Sequence, residues 1–278
     1  MRIARFTVGS STGTAEPQYG VITGELDEFG QPAEDARIAA ILSDPLYAGI
    51  NPSGEEYALS DVRLLAPVIP RSKVVAIGKN YADHVNEMKS VTGGDAPKEP
   101  LFFLKPNTSV IGPGDTIVYP PQTSNVHFEG EVAVVIGRIC KDVPKERAAD
   151  VVFGYTLAND VSARDLQVSD GQWSRAKGFD TFCPLGPWID TDLTFDEIAA
   201  GIPIQTFLNG DEKQSGSTSQ LLFDIPTIIA HVTAAMTLLP GDVIITGTPA
   251  GVGPMQVGDE VEVTSARLGS LINKVGKK

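Results

Sequence analysis

Residues 125–137 read NVHFEGEVAVVIG. The second half, with Val132, Val134, Val135 and Ile136 in succession, has the unbroken apolar character of a strand buried on both faces. At its start stand Glu129 and Glu131 with one glycine between them. Side chains alternate across a strand, so residues two apart share a face. Two carboxylates on one face, entering a core, repel each other unless something compensates them. A divalent cation does so; so does a solvated strand edge. Spacing alone leaves both readings open.

Outward from this stretch, strand patterns dominate. Residues 2–8 and 19–25 read as short strands, and DARIAAILSDP (35–45) as a short helix. DVRLLAPVIPRSKVVAIG (61–78) crosses two prolines into an apolar strand, which places a domain boundary near residue 68. The division expected is a small N-terminal domain over 1–68 and a main domain over 69–278. NYADHVNEMKS (80–90) is helical, and VTGGDAPKEP (91–100) is a mobile loop by composition. LFFLKPNTSVIG, DTIVYP, VVFGYTLANDVS, DVIITGTP and DEVEVTS read as strands, and Asn209-Gly210 as a hairpin turn. The best helix spans about 226–239, capped by Asp224 and stopped by Pro240-Gly241. The pattern predicts a mainly β fold with a few helices, of the α+β type.

Composition narrows the function classes. In a chain of 278 residues, 42% apolar and 21% charged content is that of a globular protein with a sizeable core. The net charge of −13 argues against nucleic acid or an anionic membrane as partner. No run of about 18 apolar residues reads as a membrane span. The opening residues lack a secretory apolar stretch. The two cysteines, Cys140 and Cys183, have no metal-ligand spacing and fit free thiols in a reducing cytoplasm.

Other candidates for chemistry surround the acidic pair. Asp160 ends the apolar run VVFGYTLAND and is either a third carboxylate ligand or a cap for the helix that follows. Three carboxylates without thiol or imidazole at ligand spacing favour a hard ion, Mg²⁺ or Mn²⁺. His84 and Glu87, three apart on a helix, share a face; they form a general base with its orienting carboxylate, or an incidental pair on an exposed helix. His127 and His231 read as structural. Lys105, Arg164 and Lys177 are basic residues able to meet a substrate carboxylate or a developing oxyanion, with Gln167 beside Arg164. TGTPAGVG (246–253) lacks the spacing of a phosphate loop and reads as a close backbone approach to a ligand, with Thr248 as a donor.

Six motifs in fixed order, GKNYADHVNE, FFLKPNTSV, EGEVAVVIG, GYTLANDVSARDLQ, AKGFDTFCPLGPW and GDVIITGTPAGVG, resemble the fumarylacetoacetate hydrolase family over about residues 70–265. The resemblance implies a mixed β-sandwich roll, usually a homodimer, with a small variable N-terminal domain. It implies a Mg²⁺ or Mn²⁺ ion on Glu129, Glu131 and Asp160, and a catalytic dyad of His84 and Glu87 on a lid. Lys177 is implied near metal and substrate, with Arg164, Gln167 and Thr248 lining the substrate site. The activity implied is metal-dependent C–C cleavage of a small anionic 2-oxo acid through a stabilised enolate, by acylpyruvate hydrolysis or oxaloacetate decarboxylation. The alternatives are isomerisation of hydroxymuconate- or heptadienedioate-type intermediates and, in a different class, a non-catalytic protein that binds metal and oxo acid.

Overall fold

A computed structural model describes residues 1–9, 16–28, 30–89 and 95–277. The N-terminal part supplies β1 (Arg2–Val8), β2 (Gln18–Thr23), β3 (Arg37–Ile41), helix α1 (Pro45–Ala48), β4 (Pro52–Ala58) and β5 (Val62–Leu65). Next come β6 (Val74–Gly78), α2 (Ala82–Glu87), β7 (Leu101–Lys105), β8 (Val110–Ile111), β9 (Thr116–Val118), β10 (Val126–Phe128) and β11 (Gly130–Ile136). They are followed by β12 (Val152–Asn159), β13 (Ser162–Ala163), α3 (Arg164–Ser169), α4 (Ser174–Gly178), β14 (Cys183–Asp190) and α5 (Phe195–Gly201). The chain closes with β15 (Pro203–Leu208), β16 (Asp211–Ser217), α6 (Ile225–Ala235), β17 (Val243–Ile245), β18 (Gly253–Met255), β19 (Glu260–Ser265) and β20 (Gly269–Gly276).

The fold is mainly β, as the sequence pattern predicts. A 12-stranded sheet runs β4-β3-β2-β1-β14-β12-β11-β17-β6-β7, with β5 and β8 paired off that path. It is mixed: β17 lies antiparallel to β11 and parallel to β6. A second sheet, β16-β15-β19-β20-β9, packs against it, and a third of three strands, β13-β10-β18, lies beside the site. The apolar run over 132–136 lies in β11, at the centre. Val132, Val134 and Ile136 enter one core together with α6 and the second sheet, while Ala133 and Val135 enter the core on the opposite face. An apolar residue at every position is what a strand covered on both faces requires.

The N-terminal strands continue the main sheet, because β1 pairs with β14. They also carry a small core of their own, Ala4, Phe6, Ile22, Ile38 and Ala40, closed by Trp188 from β14.

Two expectations shift. The segment expected as a helix over 35–45 forms β3, hydrogen-bonded between β2 and β4. Its apolar residues fit either period, and pairing on both sides decides for the strand. Helix α6 ends at Ala235 rather than near 239: the chain turns extended at Met236, and Leu238 bridges Cys140. Asp224 caps α6 by accepting from the Thr227 amide at 2.9 Å. At the β15–β16 hairpin, Asn209 (φ 54°) and Gly210 (φ 84°) both take the left-handed conformation of a type I′ turn. Cys140 and Cys183 are buried free thiols. Of the loop expected over 91–100, residues 91–94 lie outside the described residues. No helix among the described residues is long and apolar enough to cross a membrane.

Candidate active site and metal centre

The carboxylate cluster is a product of strand register. β11 and β12 pair antiparallel with Gly130 opposite Asn159 and Glu131 opposite Ala158. One step further, Glu129 and Asp160 meet across the ladder, the Asp160 amide donating to the Glu129 carbonyl at 2.8 Å. Glu129 stands in the break between β10 and β11, and Glu131 is the second residue of β11. One ligand atom from each of the three carboxylates lies within 4.8 Å of the others. Their residues are only 4%, 2% and 2% exposed, which rules out a solvated edge. Nor does Asp160 cap the following helix: α3 begins after Ala163 and has no side-chain cap.

Three cations converge on this cluster. Lys177, from α4, donates to Glu129 Oε2 at 2.6 Å and to Asp160 Oδ2 at 2.7 Å. Arg164, from α3, pairs with Glu129 Oε1 and donates to Gln167 Oε1 at 2.9 Å. Lys105, at the end of β7, donates to Asp160 Oδ1 and to the Val161 carbonyl. Glu131 has no cation of its own among the described residues. It accepts from the Gly247 amide at 2.5 Å. Gly247 has φ 103°, and a Cβ there would lie 2.8 Å from Asn80 Cβ, so the close approach needs glycine.

The protonation directions follow from this distribution. Burial acts to raise Glu129, but Arg164 and Lys177 outweigh it and hold its carboxyl well below the usual range. Burial, then Asp160 and Glu129, push Glu131 well above that range. Three cations match three carboxylates, but all three pair with Glu129 or Asp160, and Glu131 is the carboxylate without an ion-pair partner among the described residues. The donor set is all oxygen, which suits a hard divalent cation. Ligands at about 2.1 Å from an octahedral ion stand roughly 3–4 Å apart, so the carboxylates need only a small contraction to fit one.

His84, on α2, faces the same cavity as the three carboxylates, with Lys177, Arg164, Gln167, Thr248, Phe103 and Trp173 also on its wall. His84 Nδ1 lies 3.2 Å from Glu87 Oε2. Burial tends to raise Glu87, yet hydrogen bonds from His84 and the Gly251 amide leave its carboxyl below the usual range. The Gly251 amide donates to Glu87 Oε1 at 3.0 Å, which ties α2 to the 246–253 loop. The site thus joins an ionised carboxylate, an imidazole and a carboxylate cluster across one small cavity.

Two of the expected substrate contacts are already engaged by protein groups. Lys105 was expected to meet substrate. Its side chain is fully buried and absent from the cavity wall, and its ammonium is committed to Asp160 as a counter-charge. Thr248 does reach the cavity, but its hydroxyl donates to the Gly130 carbonyl at 2.8 Å, so its proton is already used. His127 sits at the rim of the cluster; burial and Arg164 depress it to about 4, so it is neutral near pH 7. His231 packs edge-on to Phe102, away from the cluster. Sequence reasoning missed Phe103, which stacks edge-on with Trp173 at 5.2 Å and holds the Lys177 ammonium 5.2 Å over its ring. Its signal was the doubled phenylalanine of LFFLK. Asn159 was missed too, although it adjoins Asp160 and its Oδ1 accepts from the Glu129 amide at 2.9 Å.

Comparison with known proteins places the chain among relatives. Residues 73–276 match the family described as fumarylacetoacetate (FAA) hydrolase C-terminal, and residues 1–67 match the family described as Rv2993c-like, N-terminal. Protein Rv2993c of Mycobacterium tuberculosis is 52% identical over 279 residues, covering 100% of this chain and 99% of its own length. Oxaloacetate tautomerase YisK of Bacillus subtilis is 42% identical over 229 residues, 79% of this chain and 75% of its own length. The crystal structure of 2-hydroxyhepta-2,4-diene-1,7-dioate isomerase from Mycobacterium marinum is 46% identical with a TM-score of 0.86, covering 100% of this chain and 99% of that one.

Proposed function

Since this chain belongs to the fumarylacetoacetate hydrolase family, we propose that it is a divalent-metal-dependent enzyme that moves a proton at the carbon next to the keto group of a small anionic 2-oxo acid, interconverting keto and enol forms. The observation that carries this reading is the buried His84, paired with the more exposed Glu87 and facing the carboxylate cluster across one cavity. The relatives named as an oxaloacetate tautomerase and a heptadienedioate isomerase support proton transfer as the shared step. They favour it over the C–C cleavage that the sequence resemblance put first.

Glu129, Glu131 and Asp160 would hold a Mg²⁺ or Mn²⁺ ion, which would supply Lewis-acid stabilisation of an enolate. The chain's own groups do the rest. Glu87 accepts from His84 Nδ1–H, which leaves Nε2 as the basic nitrogen. His84 takes the proton from the carbon, and the same imidazolium returns it to oxygen or to a distal carbon. Lys177 places a positive charge beside Glu129 and Asp160, where negative charge on the enolate oxygen develops. Arg164, a cavity-wall residue whose Nε–H is buried without a protein partner among the described residues, is the guanidinium for a substrate carboxylate. Phe103 and Trp173 give the cavity an apolar wall. The protein would act as a homodimer in the cytoplasm.

The test is deuterium exchange at C3 of oxaloacetate followed by proton NMR, with pyruvate release measured in parallel. Exchange should vanish on chelation and return with Mg²⁺ or Mn²⁺. His84→Ala should slow it by about 10²–10⁴-fold while Mn²⁺ binding persists. Metal-independent exchange, or full-rate exchange by His84→Ala, overturns the reading. Pyruvate forming as fast as exchange shifts it to C–C cleavage.

A further inference from the structure

Gly130 separates the two glutamates, so the two peptide planes that meet at it set the direction of both. Both polar groups of that residue are held by side chains from outside its own sheet. The Gly130 amide donates to Gln214 Oε1 at 3.0 Å. Its carbonyl accepts from the Thr248 hydroxyl, which in turn accepts from Gln214 Nε2 at 2.7 Å. Gln214 Nε2 also donates to the Pro249 carbonyl at 2.7 Å. Gln214 is fully buried on β16, although Glu212, Lys213 and Ser215 around it are exposed. Its cross-strand neighbour on β15 is Thr206. Thr206 is also fully buried, and its hydroxyl has no hydrogen-bond partner among the described residues. That hydroxyl would stand 2.2 Å from a Cβ built on Gly130. A polar pair from the second sheet thus occupies the space where a side chain between the glutamates would lie.

We propose that Gln214 is a positioning residue for the carboxylate cluster. It holds the two peptide planes flanking Gly130, directly and through Thr248, while Thr206 fills the space beside them, and so it aims Glu129 and Glu131 at a common point. The physical reason is that a buried amide left unpaired is costly, so the peptide cannot rotate without losing the Gln214 bond. Partners that orient ligands from outside the coordination shell typically change metal affinity by about 10–100-fold. This inference rests on the reading that the cluster holds a divalent cation.

The experiment is Mn²⁺ titration calorimetry on the full chain after chelation, with thermal unfolding of the metal-free protein alongside. Gln214→Met keeps length and volume but removes both hydrogen-bonding ends. It should unfold in one cooperative transition yet bind Mn²⁺ about 10–100-fold more weakly than wild type. Gly130→Ala should weaken Mn²⁺ through the clash with Thr206, and the double variant Gly130→Ala/Thr206→Ala should recover much of the loss. A purely structural role would not show that recovery. Wild-type affinity in Gln214→Met, or no recovery in the double variant, overturns the proposal; if Gln214→Met does not fold, the second pair decides. A wild-type protein that binds no Mn²⁺ removes the cation reading itself, and this proposal with it.

Discussion

Lys105 and Lys177 carry the same charge and meet the same aspartate, yet they do different work. Lys177 lies on the cavity wall and bridges Glu129 and Asp160, so it faces both the cluster and whatever enters. Lys105 is sealed off and bonds Asp160 from a position substrate does not reach. Removing one partner of a buried ion pair leaves an uncompensated charge, at about 3–5 kcal/mol. Lys105→Met should therefore lower Tm by roughly 10 °C and weaken Mn²⁺ binding, while KM at saturating metal stays near wild type. Steady-state kinetics with calorimetry checks this; a change confined to KM would return Lys105 to the substrate contacts. Such roles were not legible locally: FFLKPN and AKGFD each present a lysine in an apolar setting, and only the β7–β6 pairing and the α4 turn decide which one sees the cavity.

At the level of elements, α2 and α6 show what a sequence pattern can and cannot place. The six-residue α2 is too short to persist alone. It is held by Val85 and Met88 against the core and by Glu87 against the Gly251 amide. Gly251 has φ 104°, and a Cβ there would lie 2.0 Å from the Lys213 carbonyl, so this loop carries the latch only with glycine. Helix α6 is the opposite case, with a readable cap and apolar stripe. Asp224→Ala should cost about 1 kcal/mol, a Tm fall of roughly 2–4 °C, with kcat/KM unchanged. Thermal unfolding alongside steady-state rates tests it; a large activity loss would mean that α6 shapes the site. The helix read over 35–45 failed because isoleucine and alanine fit both periods, and only the flanking strands β2 and β4 choose.

Across the whole molecule, the loop before β17 ties the main sheet to its neighbours through one buried acid. Asp242 accepts from the Ser72, Lys73 and Leu239 amides and pairs with the Lys73 ammonium at 2.9 Å. Burial works to raise its carboxyl, but Lys73 and these amides more than offset it, leaving it below the ordinary value of 3.8. A depressed carboxylate contributes stability above its unfolded pKa and loses it as pH falls through the folded one. The wild-type advantage over Asp242→Asn should thus be about 2 kcal/mol near neutrality, a Tm gap of roughly 4–8 °C, and should narrow below about pH 4. Melting curves across pH settle it; a gap that persists into acid would assign the effect to shape rather than charge.

Alternation, apolar runs and turn dipeptides by themselves determined a mainly β chain, a central doubly buried strand, the N-cap of α6 and the Asn209-Gly210 hairpin, because these follow from local geometry. They also set Glu129 and Glu131 two residues apart at the start of that strand. Whether that pair was wet or sealed depended on the β11–β12 register, which brings Asp160 beside Glu129, and on the cations that α3, α4 and β7 deliver. The parts played by Gln214, Thr206 and Lys105 were decided by tertiary structure alone. Each acts across a sheet or between sheets on a residue distant in sequence, and no local pattern records a contact of that range.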